Sequence, residues 1–277
     1  MSEIEGGSAF NSFRKFSEEK GLFSRVALGS LVYTVLAVGW GVVVRAGKYG
    51  DGCGAHWPLC GPAVETDPLL GPISRVIESS HRISTALCGP LVLAVLALAL
   101  LHLPKGHYGR KAAGFSFFMV LVEGLIGALL VKFSLVVEND TAARAGFMSA
   151  HAISTFLLLG GMAIVVRAAR GGADFSVRGQ RQVAGMIATA LGGIVILGLS
   201  GAISALAHQT HRVPNVLAAA KDPATHWLVR LQPFHPLIAA SVGLYLFLAC
   251  SLVSHLRPDP RVRRAAAWAA GLYAVQL

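Results

Sequence analysis

The sequence predicts an all-α, polytopic membrane-spanning bundle, and three observations carry that reading. Of the 277 residues, 54% are hydrophobic and only 14% are charged. Mean hydropathy is +0.61, more apolar than a water-soluble core requires. Six apolar runs are each long enough to cross a hydrocarbon core, which takes about 20 helical residues. The alternation expected of outer-membrane barrel strands is absent.

In order, the complete runs occupy residues 24–44, 74–101, 112–131, 146–166, 183–206 and 228–255, and a seventh begins near Arg264 and reaches Leu277. The first is too long for a signal peptide, and no small-residue cleavage site follows it. Segments 45–73, 132–145 and 207–227 fall on one side of the membrane. The first and third of these are long and rich in Gly, Pro and His, which suits lids or binding loops better than tight turns. On the other side, 103–111 and 167–182 read as basic connectors.

The net charge of +10 follows this topology. With the N-terminus in the cytoplasm, Arg14, Lys15, Lys105, Arg110, Lys111, Arg167, Arg170, Arg261, Arg263 and Arg264 all lie on the inner side. The positive-inside rule then sets the orientation. The charge therefore needs no nucleic-acid partner; the partner it implies is the lipid bilayer of the cytoplasmic (inner) membrane.

An internal repeat is expected. His81-Arg-Ile-Ser-Thr-Ala in the second run matches His235-Pro-Leu-Ile-Ala-Ala in the sixth, and Trp40-Gly in the first matches Ser200-Gly in the fifth. Val122-Glu123 in the third run pairs with Val275-Gln276-Leu277 in the seventh. All three matches keep one offset of four helices, which predicts two similar four-helix units, 1–170 and 171–277, the second an incomplete copy.

Four ionisable residues stand out. Glu78 and His81 are three apart and share a helix face. His81, His151 and His235 all lie a short way inside the outer ends of even-numbered runs. Ionisable groups at such depth are costly and face the bundle interior. A single histidine there suits an interhelical hydrogen bond; three at matched depth suggest a shared cofactor. Imidazoles on separate helices with an apolar slot between them suit haem iron better than a compact zinc or copper cluster.

Arg82, and Arg45, Arg75 and Arg230 at the outer boundary, could pair with haem propionates, interfacial anchoring being the other reading of each. Cys53 and Cys60 flank Gly-Ala-His-Trp-Pro-Leu in the first outer segment. An oxidising compartment favours a disulfide there, with a metal-binding pair as the rival. Cys88 and Cys250 read as packing residues. His102, His107, His208, His211, His226 and His255 read as interfacial polar residues.

Trp57-Pro58-Leu59-Cys60 followed by Glu78-Ser-Ser-His81-Arg82 resembles the haem A synthase family of membrane monooxygenases, with agreement in helix order along the whole chain. The resemblance implies eight helices in two halves and oxidation of a ring methyl of haem O to the formyl of haem A by successive hydroxylations. It implies a substrate haem between His81 and His151, with Glu78 handling protons or stabilising an intermediate. His235 would be one ligand of a haem b in the second half, with its second ligand in an eighth helix. Haem O synthase and an electron donor are the implied partners. This chain departs from the pattern of some members in its third outer segment, which has Pro214, Pro223 and several histidines in place of a second cysteine pair. A di-haem b-type electron-transfer subunit and a haem transporter are the competing classes.

Overall fold

The structure, a computed structural model, describes residues 3–61, 70–137, 139–173, 175 and 178–276. Residues 62–69 of the first outer segment, Glu138 of the second, and Leu277, which closes the seventh run, lie outside the described residues.

Helix is the regular structure throughout the described residues. The order is α1 (Glu3–Ala46), α2 (Leu70–His102), α3 (Tyr108–Lys132), α4 (Ala142–Ala169), α5 (Arg181–Thr210), α6 (Val216–Lys221), α7 (Trp227–Leu231), α8 (Phe234–Leu256) and α9 (Pro260–Gln276). Six spans are long and apolar enough to cross a membrane, namely Gly21–Ala46, Gly71–His102, Tyr108–Lys132, Ala142–Ala169, Arg181–Thr210 and Trp227–Leu256. Large apolar side chains on them, such as Leu36, Phe118, Leu191 and Leu244, are exposed. In lipid that exposure is favourable, because the solvent is itself hydrocarbon. The chain is a multi-pass, all-α membrane protein.

Three details differ from the sequence reading. α1 starts at Glu3, far ahead of residue 24, because Glu, Lys and Arg between residues 14 and 20 favour helix without being apolar. The sixth run is two helices, α7 and α8, meeting at Gln232-Pro233. Pro233 supplies no N–H and disfavours a regular helix before it. The third outer segment, expected to be loop, contains the short helix α6, whose N-cap Asn215 accepts from the Ala218 N–H at 3.0 Å.

The chain divides into two compact units. Unit 1 comprises Met1–Asn139 and Ser154–Asp174; unit 2 comprises Asp140–Ile153 and Phe175–Leu277. The division differs from a cut at residue 170, since the N-terminal part of α4 groups with unit 2. Asp140, just ahead of α4, hydrogen-bonds His211 in the third outer segment at 3.0 Å, which ties the start of α4 to that segment.

In unit 1, two clusters form the core. One joins Phe23, Ala27, Val95, Ala99, Ala113 and Val165. The other joins Ala37, Cys88, Val92, Met119, Leu158 and Met162. Small residues let the helices approach closely, as membrane packing favours. The Tyr33 hydroxyl donates to the Ser84 carbonyl at 3.0 Å, fixing α1 against α2. In unit 2, Leu206, Ala207, Leu228 and Ala145 form one cluster, and Leu197, Leu246 and Tyr273 another, with Cys250 packed against it. The Tyr273 hydroxyl donates to the Ala239 carbonyl at 2.6 Å, holding α9 to α8.

Candidate functional site

A dense polar constellation of unit 1 gathers at the N-terminal end of α2. Glu78 is 3% exposed, and both of its carboxylate oxygens are engaged. Arg82, one turn on, donates to Oε1 from Nε at 3.1 Å and from Nη2 at 2.5 Å. The Cys53 backbone N–H donates to Oε2 at 2.9 Å. The i,i+4 spacing supplies the Glu–Arg pair by itself. The third bond needs the outer segment to fold back over the helix.

That segment is fastened at several points. Arg82 Nη1 donates to the His56 carbonyl at 2.5 Å, and Arg75 Nη2 donates to the Gly61 carbonyl. Cys53 and Cys60 are joined by a disulfide with Cα atoms 4.5 Å apart, and Trp57-Pro58 is a cis peptide. Gly52 rests on the backbone of α2; a Cβ there would lie 2.5 Å from the Ser74 carbonyl carbon and the Arg75 nitrogen. No other residue type fits that contact without displacing the segment. The loop is thus a fixed cap on α2, and Arg75 and Arg82 hold it there. Arg82 was expected at a propionate. Its first task is holding Glu78 and the loop, and two of its five N–H groups remain for a ligand.

His81 sits in the same turn, three residues after Glu78. Its ring lies in a notch left by Gly41 of α1, where a Cβ would come within 2.9 Å of Cε1 and 3.2 Å of Nε2. Neighbouring contacts hold the two helices in that register, with Trp40 Nε1 donating to Ser80 Oγ at 3.0 Å. The His81 Nδ1 atom is buried.

Unit 2 repeats the motif. His235, in the first turn of α8, lies against Gly201 of α5, where a Cβ would be 3.1 Å from its Cε1. Ser200 Oγ donates to the Leu197 carbonyl at 2.9 Å and lies 3.0 Å from His235 Nδ1. Where the hydroxyl hydrogen stays on the Leu197 carbonyl, Ser200 accepts from Nδ1–H and Nε2 keeps its lone pair. That is the tautomer an iron-ligating imidazole needs, oriented by the outer partner such ligands ordinarily have. Gln232, 7% exposed, secures the bend ahead of His235 by donating to the Ser204 carbonyl at 3.2 Å.

His151 is in α4, nine residues after Ala142, with its Nδ1 buried. It falls in the Asp140–Ile153 part of unit 2, whereas the sequence grouped it with residues 1–170. Arg45 has a buried Nε, and Arg230 is exposed.

Two further features were not singled out in the sequence. Glu123 of α3 accepts from the hydroxyls of Ser154 and of Thr155, the latter at 3.2 Å. A carboxyl far inside an apolar helix was the available signal. The second is Asp140, His211 and His226 in unit 2, whose ligand atoms lie within 4.8 Å of one another. Two of the remaining histidines have local roles. His107 caps α3 by accepting from the Gly109 N–H at 3.0 Å, and His102 stacks on Phe23.

Comparison with known proteins finds relatives of the chain. The family described as "Cytochrome oxidase assembly protein" (COX15-CtaA) matches residues 73–277. A protein of Thermus thermophilus named "Protoheme IX farnesyltransferase" is 41% identical over 91% of this chain and 41% of its own length. Proteins named "Heme A synthase" are 36% identical in Symbiobacterium thermophilum, over 38% of this chain and 34% of theirs. In Shouchella clausii the figure is 33%, over 50% of this chain and 45% of theirs. The chain thus spans less than half the length of these relatives. No solved structure matches it.

Proposed function

We propose, because the chain belongs to the haem A synthase family of cytochrome oxidase assembly proteins (COX15-CtaA), that it oxidises the ring methyl of haem O to the formyl of haem A by successive hydroxylations. The observation that carries this reading is the constellation on α2. A buried carboxylate, fixed by Arg82 and by the Cys53 N–H, stands one helical turn from His81 in its glycine notch. A simple electron relay between two imidazoles has no use for such a group, and an oxidation that moves protons as well as electrons does.

Bound haem supplies the oxygen and redox chemistry that side chains lack. His81, His151 and His235 are the proposed haem-iron ligands, with His235 serving a haem b. Glu78 would place its remaining carboxylate lone pairs where protons leave or charge develops. The capping segment over α2 keeps bulk water from that point. Lipid-exposed helices would admit the farnesyl tail from the bilayer. The proposed setting is the cytoplasmic membrane, with the N-terminus inside.

Haem O synthase is the proposed partner. The Thermus relative is named for farnesyl transfer to protohaem, the reaction that would supply haem O. Transfer by this chain is the second reading. A prenyl diphosphate is held through Mg²⁺ by carboxylates, and among the close carboxylate pairs of this sequence are Glu65 with Asp67 and Glu138 with Asp140.

The deciding experiment expresses this chain with and without haem O synthase in a host that makes no haem A, and identifies extracted haems by pyridine haemochrome spectra and mass. The oxidation reading expects haem A only when both are present. Haem O formed by the chain alone would favour transfer. Haem O that accumulates unchanged beside membrane-inserted chain would favour the relay or transporter classes.

A smaller effect is expected at Ser200. Ser200→Ala leaves the His235 Nδ1–H without its acceptor, a loss of about 1–3 kcal/mol when buried, and should weaken haem b binding about 10- to 100-fold. Ser200→Thr should retain it. Haem retained per chain after detergent purification is the measurement, and equal retention in wild type and Ser200→Ala would remove Ser200 from the site.

A further inference from the structure

The geometry points to a second metal site, separate from the proposed haem sites and independent of them: we propose that Asp140, His211 and His226 of unit 2 bind one divalent transition-metal ion of the zinc class. His211 follows α5 as its C-cap residue. His226 precedes α7 as its N-cap residue. Asp140 lies just ahead of α4. Their ligand atoms converge, with His211 Nε2 3.0 Å and His226 Nε2 3.7 Å from Asp140 Oδ2. The two imidazoles stack with centroids 4.2 Å apart.

Two imidazoles and a carboxylate are a donor set for zinc-like ions, which take N and O ligands at about 2.0–2.2 Å. Tetrahedral bonds of that length put ligand atoms about 3.4 Å apart, and the two measured distances bracket that value. The third pair, His211 with His226, lies within 4.8 Å. The side chains are 28%, 30% and 41% exposed, so a fourth position is open to water.

A second observation supports a built site. Immediately beside the three ligands, Ala145, Leu206, Ala207 and Leu228 pack into one buried cluster. The backbones that present the ligands are therefore anchored to one another.

Two contacts must change. His211 Nε2 gives up the proton it donates to Asp140 Oδ2 at 3.0 Å, since a carboxylate only accepts and ligation needs that lone pair. His226 Nδ1 accepts from the Leu228 N–H at 3.4 Å, and ligation through Nε2 requires Nδ1 to carry the proton. This long cap bond would be given up on binding. The result would be a clip joining the start of α4 to both ends of the third outer segment. The first outer segment has its own clip in the Cys53–Cys60 disulfide; the third contains no cysteine.

The test uses the full chain, without a histidine tag, purified in detergent and stripped with chelator. It is dialysed against Zn²⁺, and bound metal is counted by mass spectrometry. One ion per chain is expected, with affinity reduced at least about 10-fold in His211→Ala and in the near-isosteric Asp140→Asn. His208→Ala, which removes an exposed histidine outside the cluster, should bind as wild type. Far-ultraviolet circular dichroism of each metal-free variant checks folding, and Asp140→Asn serves where an alanine variant fails. No Zn²⁺ bound by wild type, or equal binding by wild type and Asp140→Asn, would overturn the site. So would loss of binding in His208→Ala.

Discussion

Replacing His81 with alanine is expected to reduce haem A formation below about 1% of wild type while the protein remains folded in the membrane. Changes to outer partners of a metal-bound histidine alone cost about 10- to 100-fold, and loss of the ligand itself should exceed that. The fold should survive because α1 and α2 are held by other contacts. Tyr33 reaches Ser84, Trp40 reaches Ser80, and the Val92 cluster lies deeper in unit 1. The variant leaves a hollow beside Gly41, open to a small molecule of the lost shape. Added imidazole should therefore restore part of the activity if His81 is a ligand, and none if it is only a packing residue. Haem A formation in membranes, assayed with and without imidazole, is the measurement. Undiminished haem A formation in His81→Ala would end the assignment.

The membrane spans could be read from the sequence alone, and the contacts around α2 could not, for physical reasons. The spans were legible because a bilayer demands about 20 apolar residues of helix whatever they pack against. The Glu78–Arg82 pair obeys local helical spacing, yet the sequence reading set Arg82 against propionates and did not pair it with Glu78. The contacts that make the pair a site are not local. The Cys53 N–H reaches Glu78 only when a segment 25 residues upstream folds over α2, and no periodicity encodes that. Gly41 and Gly201 were visible as matching positions in a proposed repeat. Their use as seats for His81 and His235 appears only when helix pairs are docked. The bend at Gln232-Pro233 was hidden by apolarity, since residues 228–255 read as one run although Pro233 interrupts it. Asp140, His211 and His226 are up to 86 residues apart, and each alone is an ordinary loop residue.

Glu78→Gln is expected to keep haem and lose turnover, by about 100- to 10,000-fold if the carboxylate moves a proton in the oxidation. The amide can still accept from the Cys53 N–H, so the capping segment has a reason to stay. It cannot serve as a proton acceptor, and it presents an NH₂ group to Arg82. Removing one member of a buried ion pair costs about 3–5 kcal/mol, and Arg82 is only 11% exposed, so a stability loss is expected as well. Its bond to the His56 carbonyl softens that loss. Arg82→Gln separates the two effects. It breaks the same pair from the other side and should lower stability comparably, yet it leaves the carboxylate in place. If Glu78 acts chemically, Arg82→Gln retains most of its turnover per bound haem and Glu78→Gln does not. If the pair matters only as a brace for the loop, both variants fall together, and the double variant falls no further than either. Turnover per bound haem beside thermal stability, across the four proteins of that cycle, distinguishes a proton-handling carboxylate from a strut.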